Sequence, residues 1–112
     1  MHELALVEGI MEIVGSKLEE HNLSRLTYIK LKVGQYSGAF PEALRFAFES
    51  IIADTVHREA VMDIENIIAK AECKICGKVF LYQVGLACPH CGGISSRLIE
   101  GEELLIDFIE AE

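Results

Sequence analysis

The chain opens with a stripe of apolar side chains that has helical period. Between residues 3 and 21, apolar residues recur at steps of three and four, and the charged residues fall largely on the other side. Asn22 then provides a stop, because asparagine tolerates a positive φ. We therefore predict an amphipathic helix over 3–21 with its stripe in the core. The stripe consists of Leu4, Leu6, Val7, Ile10, Met11, Ile13, Val14 and Leu18.

Two further elements are predicted in the first half of the chain. From Leu26 to Val33 apolar and polar residues alternate, which predicts a strand with one buried face. Gly34 and Gly38 then mark a loop. Pro41 suits the first turn of a second helix, where its missing N–H is not needed. The apolar face of this helix is formed by Leu44, Ala47, Phe48 and Ile51.

Two more strands are predicted in the second half, on either side of a cysteine-rich region. The first runs from Val61 to about Ala71, with a bulge or bend near Asn66 where the alternation slips. The second contains Leu104, Ile106 and Phe108. This element order predicts an α+β fold: two helices packed on a small three-stranded sheet, with an inserted four-cysteine, zinc-ribbon-like domain.

The cysteines form two Cys-x-x-Cys pairs, each followed by glycine. Four thiolates from two tight turns suit the tetrahedral coordination of Zn²⁺, and a filled site of four cysteines has no open position for catalysis. We predict a structural zinc site in a domain of residues 71–98, with 1–70 plus 99–112 forming the α+β body. A rubredoxin-like iron site and redox-active thiols are the alternatives. The ligands are Cys73, Cys76, Cys88 and Cys91.

Composition limits the class of protein. The chain of 112 residues is 51% hydrophobic, enough to bury a core, and its formal net charge of −8 disfavours nucleic acid and anionic membranes as partners. Its apolar runs are far shorter than the roughly twenty residues of a membrane span, and its start lacks a secretory signal. We expect a cytoplasmic protein. We find no catalytic triad, phosphate-binding loop or open metal site, so we do not expect an enzyme.

The amino terminus offers a second kind of metal chemistry. The α-amino nitrogen of Met1, the amide nitrogen of His2 and the His2 imidazole can close adjacent chelate rings, and the Glu3 amide could add a fourth nitrogen. A square-planar nitrogen set suits Ni(II) or Cu(II) rather than Zn²⁺. The Glu3 carboxylate could orient the imidazole or favour a helix start. The alternative is an ordinary exposed histidine, which is how we interpret His21 and His57.

These motifs occur in one order along the chain. The start Met1-His2-Glu3-Leu4, the segments 29–34 and 40–48, and the two cysteine pairs together resemble the HypA/HybF family over essentially the whole length. The resemblance implies a nickel metallochaperone for [NiFe]-hydrogenase maturation. It implies that His2 is the principal Ni(II) ligand, that Met1 and Glu3 contribute backbone nitrogens, and that the four cysteines hold zinc.

The same resemblance implies partners. These are the GTPase HypB and the hydrogenase large-subunit precursor, and a homodimer is a further candidate assembly. Some family members place histidines where this chain has Gly77 and Gly92, so we do not expect a zinc switch that depends on those histidines. The alternative function is a zinc-ribbon adaptor or regulatory binding protein without nickel delivery.

Overall fold

Two three-stranded sheets and two helices make up the fold. The computed structural model describes residues 2–112. The elements are α1 His2–Glu20, β1 Leu26–Gly34, α2 Pro41–Ile52, β2 Val61–Ile67, β3 Lys70–Cys73, β4 Val79–Leu81, β5 Ser96–Glu100 and β6 Leu104–Ala111.

The first sheet has the order β2-β1-β6, with β1 at its centre. β1 is parallel to β2 and antiparallel to β6. Parallel neighbours need a crossover, and α2 provides it. Both helices contribute to a single core with the alternate residues of β1 that we expected to be buried, which confirms the predicted α+β body. The β1 core residues are Leu26, Ile29, Leu31 and Val33.

Helix α1 buries a narrower stripe than the sequence pattern predicts. Its buried residues are Glu3, Val7, Ile10, Val14 and Leu18. Leu4 and Ile13, which we assigned to the stripe, are 40% and 53% exposed, whereas Leu6 and Met11 are partly buried against the core. The helix ends as predicted: Asn22 has φ +57°, and the Leu23 N–H donates to the Leu18 carbonyl at 2.8 Å.

The predicted strand from Val61 to Ala71 is wrong, because this segment forms two strands in different sheets. β2 ends at Ile67, where the carbonyl accepts the Gln35 N–H at 2.9 Å. The Gln35 side-chain oxygen then accepts the Ala69 N–H at 3.0 Å. These two hydrogen bonds fix the backbone where it passes from the first sheet to the second.

The second sheet has the order β4-β3-β5 and is antiparallel throughout. At one edge of this sheet, β4 pairs with β3, and Phe80 lies opposite Ala71. This sheet has its own small core of Ala71, Cys73, Phe80 and Cys88. The division into domains at 70/71 and 98/99 stays a prediction.

Glycines allow the two sheets to meet closely. A Cβ at Gly34 would overlap the backbone of Gly101. Gly101 itself has φ +118°, and a Cβ there would lie 2.6 Å from the Ala69 Cα. Tyr36 and Tyr82 pack edge to face across the junction, with ring centroids 5.6 Å apart. Among residues 2–112, neither helix has the length and apolar composition to cross a membrane.

Candidate metal centres

The four cysteines converge at one end of the second sheet. Their sulfur atoms all lie within 4.8 Å of one another. The Sγ atoms of Cys73 and Cys91 are 3.6 Å apart, and those of Cys76 and Cys88 are 3.7 Å apart. These distances are too long for a disulfide, whose sulfurs are ~2.05 Å apart. They agree with the edge of a tetrahedron having metal–sulfur bonds of ~2.3 Å, which is ~3.8 Å.

The two cysteine pairs have nearly the same backbone geometry. We call the two Cys-x-x-Cys-Gly turns, residues 73–77 and 88–92, the first and second knuckles. In the first knuckle the Gly77 N–H donates to the Cys73 carbonyl at 2.9 Å, and in the second the Gly92 N–H donates to the Cys88 carbonyl at 2.8 Å. These glycines have φ +78° and +77°, a conformation that other residues rarely adopt. The glycine after each pair is thus part of the turn that brings two sulfurs together.

Backbone amides also point at the sulfurs and stabilise their ionised form. The N–H groups of Cys76 and Ile75 lower the pKa of the Cys73 thiol to about 6. At Cys91 the Gly93 N–H acts in the same direction, but the neighbouring Cys73 thiol and burial raise the pKa to about 11. Four sulfurs in so small a space cannot all ionise alone, and a divalent cation between them removes this conflict.

The donor set therefore fits a structural zinc ion. All four ligands are thiols, and the tetrahedron is complete without another residue. The imidazole of His90 is not part of the group, although its backbone N–H donates to Cys88 Sγ at 3.4 Å.

The amino-terminal candidates lie at the start of α1. The His2 side chain is 56% exposed, and its Nδ1 lies 3.5 Å from Oε2 of Glu3. The first N–H groups of a helix have no carbonyl partner within it, so the His2 amide is not needed for the α1 ladder. Met1, the predicted source of the α-amino nitrogen, lies outside the described residues.

Glu3 has a structural contact that the sequence did not indicate. It is 7% exposed, and its Oε2 accepts the Phe40 N–H at 3.2 Å. Phe40 precedes α2, so this bond joins the starts of the two helices. The Glu3 N–H, then the Phe40 N–H, lower the pKa of the carboxyl, which keeps it ionised beside His2.

One histidine that we took as ordinary also has a definite role. Nδ1 of His57 accepts the N–H of buried Leu26 at 3.0 Å. This bond satisfies the first backbone donor of β1 from a loop 31 residues away. No local signal around His57 indicates such a partner, because the contact depends on the path of the α2 crossover.

Comparison with known proteins supports the same family as the sequence motifs. The family model described as "Hydrogenase/urease nickel incorporation, metallochaperone, hypA" matches residues 1–111. A hydrogenase maturation factor HypA of Desulfitobacterium hafniense (strain DSM 10664 / DCB-2) is 36% identical over 114 residues, which cover 100% of this chain and 99% of the relative. The HypA of Dehalococcoides mccartyi (strain CBDB1) is 34% identical over 113 residues, with coverage of 100% and 95%.

Solved structures share the fold. The solution structure of a HypA protein has a TM-score of 0.75 at 22% identity and covers 100% of this chain and 97% of its own. That of the Ni metallochaperone HypA from Helicobacter pylori has a TM-score of 0.67 at 20% identity, with coverage of 97% and 96%. Because the family model matches residues 1–111 and relatives of 34–36% identity cover the whole chain, this chain belongs to the HypA family of nickel-incorporation metallochaperones, which are maturation factors and not enzymes.

Proposed function

We propose that this chain binds Ni(II) at its amino terminus and delivers it for [NiFe]-hydrogenase maturation, while its cysteines hold a structural zinc ion. The observation that carries the proposal is the presence of two separate donor sets in a chain of this family. The sulfur set is closed, and the His2 imidazole is exposed at a helix start and is not part of that set.

The proposed nickel donors are the His2 imidazole together with backbone nitrogens of Met1, His2 and Glu3. Nitrogen donors in a plane suit Ni(II), whereas the four thiols of Cys73, Cys76, Cys88 and Cys91 suit tetrahedral Zn²⁺. The contact of Glu3 with the Phe40 N–H supports this assignment, because it fixes the residue beside His2 against the body. The nickel-binding unit is then 1–70 plus 99–112, and the zinc-binding unit is 71–98.

Delivery requires partners. We propose the GTPase HypB and the hydrogenase large-subunit precursor, which the family assignment supports through its link with hydrogenase nickel incorporation. Expression of the chain in cells that lack their own HypA tests this step, with nickel-dependent hydrogenase activity as the measurement. The control is the same cells supplied again with their own HypA, which should regain hydrogenase activity. If the control regains activity but cells expressing this chain do not, delivery is contradicted.

Nickel calorimetry on untagged, zinc-loaded protein tests the binding site. We expect one equivalent of Ni(II) to bind, His2→Ala to abolish this binding, and zinc content to stay unchanged. His21→Ala is the matched control, since His21 is an exposed histidine just beyond the other end of α1. Undiminished nickel affinity in His2→Ala would reject the site and favour a zinc protein without nickel delivery.

The α-amino nitrogen has its own test. An amino-terminal tag converts this amine into an amide and removes it as a donor, so tagged protein should bind nickel poorly. Removing the tag with a protease that leaves Met1 as the first residue should restore binding. Equal nickel affinity before and after cleavage would exclude the amine from the site.

A further inference from the structure

Strand β6 forms an open edge of the first sheet. It pairs with β1 on one side, and among residues 2–112 no strand pairs with its other side. The strand is eight residues long and contains no proline, so its outer edge presents a row of backbone N–H and C=O groups. An edge of this kind can accept a further strand when the side chains of the two strands match.

An apolar groove follows this edge, between β6 and the end of α1. It consists of two hollows of about 320 and 220 Å³, which adjoin because Lys17 and Ile109 line both of them. Ile13 lines the first hollow and is 53% exposed, and Leu23 lines the second and is 39% exposed. Apolar surface therefore remains uncovered along the open edge. We call this the β6 groove; it is lined by Ile13, Lys17, Leu23, Ile106 and Ile109.

The segment that carries this edge is strongly acidic. Residues 102–112 contain five Asp and Glu and no Lys, Arg or His. Asp107 and Glu110 are exposed, and among the described residues no Lys, Arg or His nitrogen lies within 4.0 Å of their carboxylates. A second β6 edge does not suit this one, because two copies would bring like charges together. The charge instead favours a strand that carries basic side chains.

Alternation along β6 separates the apolar groove from the charge. Ile109 lines the groove and packs against the core, so its neighbour Glu110 faces the other side of the sheet. We propose that the β6 groove binds an extended protein segment in which apolar residues alternate with Lys or Arg, and that this segment adds to the first sheet as a fourth strand. Its apolar side chains fill the groove, and its basic side chains lie beside Glu110. The site uses no proposed nickel donor and no cysteine, so it is independent of the proposed function.

Synthetic peptides test the proposal with the untagged, zinc-loaded protein. The probe is a fluorescein-labelled ten-residue peptide of alternating valine and lysine, blocked at both ends, which should bind in fluorescence anisotropy and more weakly at high salt. The same peptide with glutamate in place of lysine should bind about tenfold more weakly or worse. N-methylation of the four central residues of the lysine peptide should cause a similar loss, because strand addition depends on backbone N–H donors.

Charge reversal on the protein tests the same contact. The double variant Asp107→Lys with Glu110→Lys should bind the lysine peptide about tenfold more weakly than the parent and should prefer the glutamate peptide. Glu49→Lys with Asp54→Lys is the matched control, because it makes the same change at exposed positions on α2 and just after it. This control should bind like the parent. Zinc content and far-UV dichroism verify that each variant is folded.

Amide hydrogen exchange locates the bound peptide. The outer N–H groups of β6 gain acceptors when a strand is added, so the lysine peptide should slow exchange along residues 104–111. Absence of binding at millimolar peptide, equal binding of the glutamate or N-methylated peptide, or unchanged exchange along β6 would each overturn the proposal. Parental affinity for the lysine peptide in the folded Asp107→Lys with Glu110→Lys variant would overturn it as well.

Discussion

Phe80 provides a quantitative test of how metal and packing share the stability of the second sheet. It is 6% exposed and is the largest buried side chain in the small core around the cysteines. Truncation of a buried phenylalanine to alanine typically destabilises a fold by about 3–5 kcal/mol. Structural zinc sites typically contribute ~10–16 kcal/mol. Phe80→Ala should therefore weaken the zinc site without abolishing it.

The loss should appear as reduced zinc affinity. The second sheet has only four buried core residues, so we expect it to be unfolded without metal, and the lost packing then subtracts from the binding free energy. At 1.4 kcal/mol for each tenfold change, 3–5 kcal/mol corresponds to a decrease of about two to three and a half orders of magnitude.

Competition with a chromogenic zinc chelator measures this affinity. Leu81→Ala is the matched control, because Leu81 follows Phe80 on the same strand but is 60% exposed. We expect its zinc affinity to stay within about threefold of the parent. Parental affinity in Phe80→Ala would refute the reasoning by showing that the second sheet folds without metal. Complete loss of zinc binding would also refute the reasoning, because the packing of Phe80 would then contribute more free energy than the metal does.

Three further predictions concern the body and its junction with the second sheet. The folded-state pKa of Glu3 lies below its ordinary 4.5, so its charge stabilises the fold above that pH and the effect is lost as the pH falls. Glu3→Gln should therefore lower the midpoint of urea unfolding at neutral pH but not in acid. If parent and variant differed as much in acid as at neutral pH, the prediction would be contradicted. His57→Phe leaves the Leu26 N–H without its acceptor and should destabilise the body by about 1–3 kcal/mol in urea titration, whereas His21→Phe should not. Gly101→Ala, at φ +118°, should lower stability by about 1–3 kcal/mol or more, and an unchanged thermal midpoint would refute the close approach.

The cysteine site could be predicted from the sequence because its geometry is local. Each Cys-x-x-Cys-Gly turn is closed by bonds within five residues, such as the Gly77 N–H to the Cys73 carbonyl. Two such turns can supply four sulfurs wherever the rest of the chain goes. Strands with clear alternation, such as β1, could be predicted for the same reason, because the periodicity of apolar and polar residues is a local property of the sequence.

The features that the sequence did not reveal depend on distant partners. The burial of Glu3 requires the Phe40 N–H, 37 residues away. The split between β2 and β3 requires the Gln35 side chain, which binds Ala69 across 34 residues. A slip in alternation near Asn66 marked the right place, but it could not distinguish a bulge from a move into another sheet.

The junction between the sheets has a consequence for folding speed. β1 must pair with β6, yet residues 68–103 intervene between β2 and β6. When zinc is bound and the second sheet is folded, Ala69 and Gly101 lie close together, so residues 68–103 act as a short connection between β2 and β6. The chain-closure entropy saved is on the order of 2 kcal/mol. Stopped-flow refolding should accordingly be tens of times faster with zinc than with chelator, and equal rates would show that β6 docks before the excursion is organised.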